Sequence, residues 1–294
     1  MSAHPKPEIQ PASSNEAPAI KSRARMSTRN RLLFFATGWL IVLMPFLFWW
    51  NTWFGRQLSS KQIAEYLHDE KHPRHIQHAL VQLGERMSRN DASVKQWYPD
   101  AVRLANHPVE EVRNTDAWVM GQDTSGDGFH PALLKMLSDP SLTVRGNAAL
   151  SLVRFGDASG RPQIIELLQP ADISAPQSGA VIDTSSVGTA IHQGGMIAKL
   201  KADGLTIEVR SPISGRLHEL DAPTGQTVKV GDRIAVVDPS TEQVWEALRA
   251  LYLIGQPEDM DVIRAYEREL PDIPDRVRQQ ALAAEEAIRQ RAAK

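Results

Sequence analysis

The stretch Ile173-Ser-Ala-Pro-Gln-Ser-Gly-Ala-Val181 returns further along the chain as Val209-Arg-Ser-Pro-Ile-Ser-Gly-Arg-Leu217. The correspondence continues beyond these stretches at a nearly constant spacing, and it pairs Gly188 with Gly225, Ile191 with Val228, Gly194 with Gly231 and Ile197 with Ile234. Glycine at fixed places between short apolar runs is typical of tight turns between strands. The repeat therefore predicts a small β barrel with internal two-fold symmetry.

This pattern resembles the biotinyl/lipoyl-like barrel, also called a barrel-sandwich hybrid, over residues 172–239. In the carrier members of that family, the hairpin between the two halves presents a lysine that holds the cofactor. In this chain that place falls on Gly204, and Asp203-Gly204 is typical of a two-residue hairpin turn. Lys199 and Lys201 lie close by and are the alternative sites of modification. We predict an unmodified barrel without a cofactor.

The barrel also resembles the lipoyl-like domain of membrane-fusion proteins, which are periplasmic adaptors. In that family a long helical hairpin separates the two halves of the barrel. This chain has only the short segment from Lys199 to Val209 at the same place. An adaptor-like subunit of an efflux or secretion transporter is therefore an alternative function, although the docking hairpin of such proteins has no counterpart here.

A second repeat precedes the barrel. His107-Pro-Val-Glu-Glu-Val-Arg113 corresponds to Asp139-Pro-Ser-Leu-Thr-Val-Arg145, and Pro131-Ala-Leu-Leu-Lys-Met-Leu137 corresponds to Pro162-Gln-Ile-Ile-Glu-Leu-Leu168. Each unit predicts a turn, a helix, a loop and a second helix, because proline suits the first turn of a helix and apolar residues recur at helical spacing. The pattern resembles the short HEAT repeats of phycobilin-lyase-like proteins, and it implies an all-α solenoid over residues 60–170.

The helical pattern resumes after the barrel. Ala247 to Gly255 resembles Ala148 to Gly156, and a final helix from Asp275 has the polar outer side of a cap. We therefore predict that the barrel is inserted into the solenoid, with HEAT-like helices and a cap over residues 240–294. One charge recurs at the same repeat position, where we expect it to tie one repeat to the next: Arg113, Arg145 and Arg278.

The run from Leu32 to Phe54 contains no charged residue and exceeds the roughly 20 residues that cross a bilayer as a helix. Basic residues precede it, so the positive-inside rule places the N-terminus in the cytoplasm. We predict a single transmembrane helix over 32–54 and a disordered, basic cytoplasmic tail over 1–31. The later domains then lie on the periplasmic side of the inner membrane. A cleaved signal peptide is the alternative, but no small-residue cleavage site follows the run.

Several histidines follow this run at a spacing that is typical of metal ligands on a helix. His68 and His72 are four residues apart, and possible further ligands surround them: Asp69, Glu70, His75 and His78. Pro73 interrupts the pattern, so these residues are not predicted to share one helical face. The alternative interpretation is a solvated loop at the start of a helix.

Asp123-Thr-Ser-Gly-Asp-Gly128 resembles the first half of a calcium-binding loop, in which Asp123, Ser125 and Asp127 would supply oxygen ligands. Leu134 occupies the place where such loops carry a bidentate acid. An Asx turn between two repeat helices is the alternative. We predict no metal at either cluster.

Other classes of function find little support in the composition. The 294 residues include no cysteine and carry a net charge of −2, which excludes disulfides and thiol catalysis and gives no indication of nucleic-acid binding. The sequence has no Gly-rich phosphate loop and no Gly-x-Ser-x-Gly elbow, so we predict no catalytic residues.

The combined interpretation is a multidomain, membrane-anchored and non-catalytic scaffold or adaptor in a membrane-associated complex. Protein partners would contact the concave face of the solenoid and the hairpin over 199–205. The third alternative is a carrier or a bilin-lyase-like enzyme component.

Overall fold

The computed structural model describes residues 27–53, 57–268 and 273–293. The chain divides into two compact units, Met1–Gln57 and Leu58–Lys294. The described part of the first unit is helix α1 (Thr28–Trp53) with its flanking residues. The predicted disordered tail over 1–31 lies outside the described residues as far as Met26.

Within the described ranges, no helix combines the length and the apolar character that a bilayer crossing requires. The predictions of a single transmembrane helix over Leu32–Phe54 and of a single-pass location in the inner membrane are therefore wrong. The predicted contact with a bilayer rested on that helix alone.

The second unit contains pairs of helices with a β domain between two of them. The helices are α2 (Ser60–Tyr66), α3 (Pro73–Ser88), α4 (Tyr98–Leu104), α5 (Glu110–Met120), α6 (Phe129–Met136), α7 (Leu142–Arg154), α8 (Arg161–Glu166), α9 (Thr241–Ile254), α10 (Met260–Arg264) and α11 (Asp275–Ala292). Short 3₁₀ helices precede α4 and α10, over Ala92–Trp97 and Pro257–Asp259.

The longer helices form one layer of the solenoid, in which α3 packs on α5, α5 on α7, α7 on α9 and α9 on α11. One hydrophobic cluster joins Ile164 and Leu167, before the barrel, to Leu248 and Leu251, after it. Two hydrogen bonds span the same junction, from Gln243 Nε2 to Leu167 O at 2.9 Å and from Tyr266 Oη to Leu168 O at 2.6 Å. The helical packing therefore continues across the barrel.

Local sequence sets several of these helix starts. Pro73 lies in the first turn of α3, where its missing N–H removes no hydrogen bond. Ser141 and Ser240 accept hydrogen bonds from the backbone N–H groups of Val144 and Gln243, and so cap α7 and α9. Ser240 follows the last strand directly, so the chain passes from barrel to helix within one residue.

The barrel consists of eight strands in two antiparallel sheets. The strands are β1 (Ala171–Ser174), β2 (Gly179–Thr184), β3 (Ala190–Ile191), β4 (Met196–Ala202), β5 (Leu205–Arg210), β6 (Gly215–Leu220), β7 (Thr227–Val228) and β8 (Arg233–Pro239). One sheet has the order β1-β8-β6-β3, and the other has the order β5-β4-β2-β7. Exchanging the first four strands with the last four converts one order into the other, which confirms the two-fold symmetry.

The repeated glycines mark equivalent turns of the two halves. Gly194 has φ +74° and its counterpart Gly231 has φ +85°, values that favour glycine over other residues. Apolar residues from both halves, among them Ile197 and Ile234, fill a single buried core between the sheets. The two halves therefore have equivalent turns as well as equivalent strands.

The recurring arginines join neighbouring repeats at two of their three positions. Arg113 donates to the carbonyl of His107 at 2.8 Å and makes two hydrogen bonds to the Asp139 carboxylate, at 2.7 and 3.0 Å. Arg145 repeats this arrangement, with bonds to the carbonyl of Asp139 and to Glu166. Among the described residues, Arg278 bonds Asp275 of its own helix, at 3.3 Å, and no residue of a neighbouring repeat, so the prediction is wrong there.

Candidate functional site

The hairpin between the two halves of the barrel ends in Asp203 and Gly204, with φ +48° and +79°. Ala202 pairs with Leu205 directly across these two residues, so the turn has the predicted two-residue length. A lysine-bearing tip would need its side chain at this turn, where the chain instead has aspartate and glycine. The tip is exposed, and Leu205 beside it is 69% exposed.

Neither candidate lysine reaches the tip. Lys199 lies within β4, opposite Glu208, and its Nζ is 3.1 Å from the Asp183 carboxylate. Lys201 lies one residue before Ala202, paired with Thr206 on β5 and Ala180 on β2. Both lysines therefore belong to paired strands and not to the turn.

Hydrogen bonds hold the barrel against the repeat that precedes it. The side chain of Gln193 donates to Thr143 Oγ1 at 2.8 Å and to Glu110 Oε1 at 3.3 Å. Ser141 donates to the same Glu110 oxygen at 2.7 Å. Leu142, at the start of α7, packs against the barrel core. These contacts fix the orientation of the barrel relative to the solenoid.

A cleft of about 930 Å³ lies where the barrel meets the helices that follow it. Strands β6 and β8 supply His218 and Asp238, which lie 2.9 Å apart, and α11 supplies Val277. Tyr266 lines the same cleft, where burial raises its pKa to about 12, so it is a neutral hydrogen-bond donor. The cleft thus has mixed polar and apolar walls drawn from both domains.

The layer of longer helices presents a surface that we call the inner-helix face. It is defined by Asn114 and Trp118 on α5, by Gln122 just after the end of α5, and by Asn147 and Arg154 on α7. Asn147 donates to the Asn114 side chain at 2.8 Å, and Arg154 donates to Gln122 at 3.0 Å. Residues four apart on a helix share one side, so Trp118 lies between these two bonds.

Trp118 is 40% exposed on this face. A Cβ atom at Gly84 would lie 2.8 Å from its ring, which shows that the tryptophan lies over α3. Val81 of the same helix is 38% exposed. The inner-helix face therefore combines a fixed aromatic side chain with polar groups that are already ordered.

The calcium-like loop is an Asx turn. One oxygen of Asp123 accepts hydrogen bonds from the backbone N–H and the hydroxyl of Ser125, at 2.8 and 2.7 Å, and the other accepts from Tyr98. Burial alone would raise the pKa of Asp123, but these hydrogen bonds outweigh it and hold the pKa below its ordinary value. Asp127 is not among these partners, so the structure does not bring the predicted trio together.

The structure separates the predicted pair His68 and His72. His68 bonds Asp100, at 3.1 Å, whereas His72 bonds Asp69, at 2.9 Å. His75 also bonds Asp69, at 2.7 Å, so one carboxylate lies between two imidazoles. Sequence reasoning missed this group because it took Pro73 as a helix breaker. Recognition of Pro73 as the first helical residue would have placed His72 and His75 at one helix start.

Comparisons with known proteins identify two families within the chain. A family model described as biotin-requiring enzyme matches residues 171–237, and a HEAT repeat model matches residues 131–159. No curated protein matches the sequence. The chain thus contains a biotinyl/lipoyl domain and a HEAT repeat, whereas the predicted resemblance to membrane-fusion adaptors has no counterpart among these matches.

Three solved structures show weak likeness. A single-chain, multi-domain long-chain acyl-CoA carboxylase shares 18% identity at a TM-score of 0.24, over 35% of this chain and 10% of that chain. The complex of CpcE and CpcF of phycocyanin lyase from Nostoc sp. PCC7120 shares 17% identity at 0.43, over 82% and 69% of the two chains. An engineered protein shares 16% at 0.39, over 79% and 80%. At these TM-scores none of them carries an argument about function.

Proposed function

We propose that this chain is a non-catalytic scaffold or adaptor, in which the solenoid binds a protein partner and holds the inserted barrel in a fixed position. The observation that carries this proposal is the fixed attachment of the barrel. Both ends of the barrel enter the solenoid directly, and Gln193 bonds it to the preceding repeat. A domain that carries a group between distant sites needs a mobile tether, and this attachment supports a static role.

The hairpin supports an unmodified barrel. Gly204 occupies the place of the carrier lysine, and Lys199 is engaged with Asp183. The matched family is described as biotin-requiring enzyme. This chain keeps the strands of that family without a lysine at the turn, so the fold is proposed to act as a rigid module.

The inner-helix face is the proposed contact surface for the partner. Tryptophan is enriched among the residues that dominate binding energy, since it buries a large area with few rotatable bonds. Trp118 is held by α3 and flanked by ordered amides, so little side-chain entropy is lost when a partner covers it. The exposed hairpin tip at Leu205 is the second proposed contact.

The experiment compares the partners of the tagged full chain with those of three variants, by affinity capture and mass spectrometry. In the first, a short Gly-Ser linker between Pro170 and Ser240 replaces the barrel. Ala171 pairs with Val237, so the two ends of the barrel lie side by side and a few residues span the gap. The second is Trp118→Ala. The third is the control Leu282→Ala, an exposed apolar residue of α11.

We expect a reproducible partner that Trp118→Ala loses and Leu282→Ala keeps, and an intact mass equal to that of the unmodified chain. Partner binding that neither the linker variant nor Trp118→Ala reduces would contradict the proposed contacts. A mass increase that mapped to Lys199 or Lys201 would instead establish a carrier.

A further inference from the structure

We propose that Asp69, His72 and His75 form a binding site for a divalent transition-metal ion such as Zn²⁺. These three residues lie at the turn between α2 and α3, at the first helical pair of the solenoid. Each offers one ligand atom, and the three atoms lie within 4.8 Å of one another. The site is independent of the barrel and of the inner-helix face.

The backbone brings the three side chains to one side. His72 N–H bonds the carbonyl of Asp69 at 2.9 Å, and His75 N–H bonds the carbonyl of His72 at 2.8 Å. These two bonds form consecutive turns, and together they bring ligand atoms of Asp69, His72 and His75 within 4.8 Å of one another. Pro73 favours the arrangement, because it starts α3 immediately after His72. The trio is therefore built by the turn before any ion binds.

Neighbouring contacts hold the two imidazoles. The ring of Tyr66 stacks on that of His75, with centroids 4.4 Å apart and planes 11° apart. The rings of His72 and His75 are 5.0 Å apart. The ligand atoms then need only a small adjustment, because Asp69 Oδ2 lies 2.9 Å from His72 Nδ1 and 2.7 Å from His75 Nδ1. Tetrahedral zinc ligands are about 3.3 Å apart, so each must move outward by roughly half an ångström.

The charge and the donor atoms suit the ion. Asp69 supplies an anionic oxygen ligand beside the two imidazole nitrogens. When the ion binds, each imidazole keeps its proton on Nε2 and offers the Nδ1 lone pair. Two imidazoles and one carboxylate are a common ligand set for zinc. The positive end of α3 opposes a cation, but this weakens binding by less than about tenfold.

The fourth ligand position is open. The acid that follows Asp69 in the chain, Glu70, is committed to Arg103 at 3.0 Å and to His107 at 2.9 Å. The side chains of Asp69, His72 and His75 are 27%, 62% and 44% exposed, so water or a group from a partner can complete the coordination. Such a site binds an exchangeable ion more weakly than a closed four-ligand site does.

The test is calorimetric titration of the metal-free full chain with Zn²⁺, together with visible absorption on addition of Co²⁺. We expect saturable binding of one ion per chain and an absorption band typical of Co²⁺ with nitrogen and oxygen ligands. His72→Ala and His75→Ala should each weaken binding by more than about tenfold, since loss of even an outer-shell partner costs that much. Asp69→Asn should do the same while keeping a side chain of the same shape.

The matched control is His218→Ala in the barrel. His218 lies 2.9 Å from Asp238, so it forms a histidine–aspartate pair of the same kind without the third ligand. This variant should bind Zn²⁺ as the parent does. Each variant should still unfold in a cooperative transition without metal, which separates loss of a ligand from loss of the fold. Absence of saturable binding, or an equal loss in His218→Ala, would overturn the site.

Discussion

The barrel and the solenoid are each built from a repeated unit, and the two kinds of unit are joined differently. In the barrel each sheet takes strands from both halves, so neither half completes a sheet without the other. In the solenoid each unit packs on the next one, and Arg113 and Arg145 join consecutive units by the same set of bonds. A barrel of this kind closes at two units, whereas a solenoid can extend, stop or accept an insertion between units.

The two regions also differ in what they bury. Among the described residues, the barrel buries one polar side chain, Ser211. The other buried polar and charged side chains lie in the solenoid: Gln82, His107, Asp116, Ser151, Asp259 and Glu285. Helix pairs meet through side chains, and some of these are polar, as in the bond from Ser151 Oγ to the carbonyl of Ala117 at 2.8 Å.

The largest expected loss of stability comes from a substitution that separates two strands of the barrel. A Cβ atom at Gly215 would lie 1.8 Å from the carbonyl oxygen of Asp238, so Gly215→Ala forces β6 and β8 apart. We expect a loss of about 3 kcal/mol in barrel stability. Hydrogen exchange of barrel amides, followed by mass spectrometry, measures this loss separately from the solenoid.

The other half of the barrel supplies the control. Gly179 is the repeat counterpart of Gly215, and its added Cβ would lie 2.8 Å from the carbonyl oxygen of Lys201. Gly179→Ala should therefore cost less, about 1 kcal/mol. Equal losses in the two variants would show that the halves pack alike despite these different distances.

The second largest loss is expected when the ion pair between two consecutive repeats is removed. Arg113→Ala leaves the mostly buried Asp139 without its cation, and we expect unfolding in urea to require about 2 kcal/mol less. Burial alone would raise the pKa of Asp139, but hydrogen bonds from Arg113 outweigh it and hold the pKa below its ordinary value. Arg278→Ala, the repeat counterpart with only an exposed partner, should change stability by less than about 0.5 kcal/mol. If both substitutions lowered the free energy of unfolding by a similar amount, the bond between Arg113 and Asp139 would not join the two repeats.

The smallest effect concerns Asp116, whose carboxylate oxygens are buried in α5 without a hydrogen-bond partner among the described residues. Burial raises its pKa well above the ordinary value, against a weaker lowering by Arg103. Because the pKa of Asp116 is raised in the folded state, the free energy of unfolding is highest below the unfolded pKa of about 3.9. It falls as the pH rises, by up to about 1.4 kcal/mol per pH unit.

Asp116→Asn removes this penalty, so we expect it to be about 1 kcal/mol more stable than the parent at pH 7 and nearly equal near pH 4. Urea unfolding at the two pH values measures the difference. Asp139→Asn is the control and should be less stable at pH 7, because that carboxylate is paired. If Asp116→Asn were the less stable chain at pH 7, a partner for the carboxylate would have to exist.

The barrel could be predicted because its constraints are local and repeated. Gly194 and Gly231 need a positive φ, and Asp203-Gly204 fits a two-residue hairpin, so short stretches of sequence determine the turns. The joints at Arg113 and Arg145 were predictable for the same reason. Arg278 failed because the partner that the structure gives it, Asp275, lies in its own helix and not in a neighbouring repeat.

The rest depended on geometry that residue patterns do not contain. The trio of Asp69, His72 and His75 forms because Pro73 begins a helix, whereas the same proline inside a helix would break it. Trp118 gave no advance indication of a surface role, since tryptophan at helical spacing is more often part of a core.

The pairing of Ala171 with Val237 also bears on how the chain folds. Helices α8 and α9 pack together but are far apart in sequence, and the entropic cost of closing a loop grows with its length. A barrel that has already folded brings its two ends together and shortens the effective loop to a few residues. By the logarithmic dependence of loop entropy on length, this lowers the cost of joining α8 to α9 by roughly 2 kcal/mol. Once folded, the inserted domain thus holds the two parts of the solenoid close together in space.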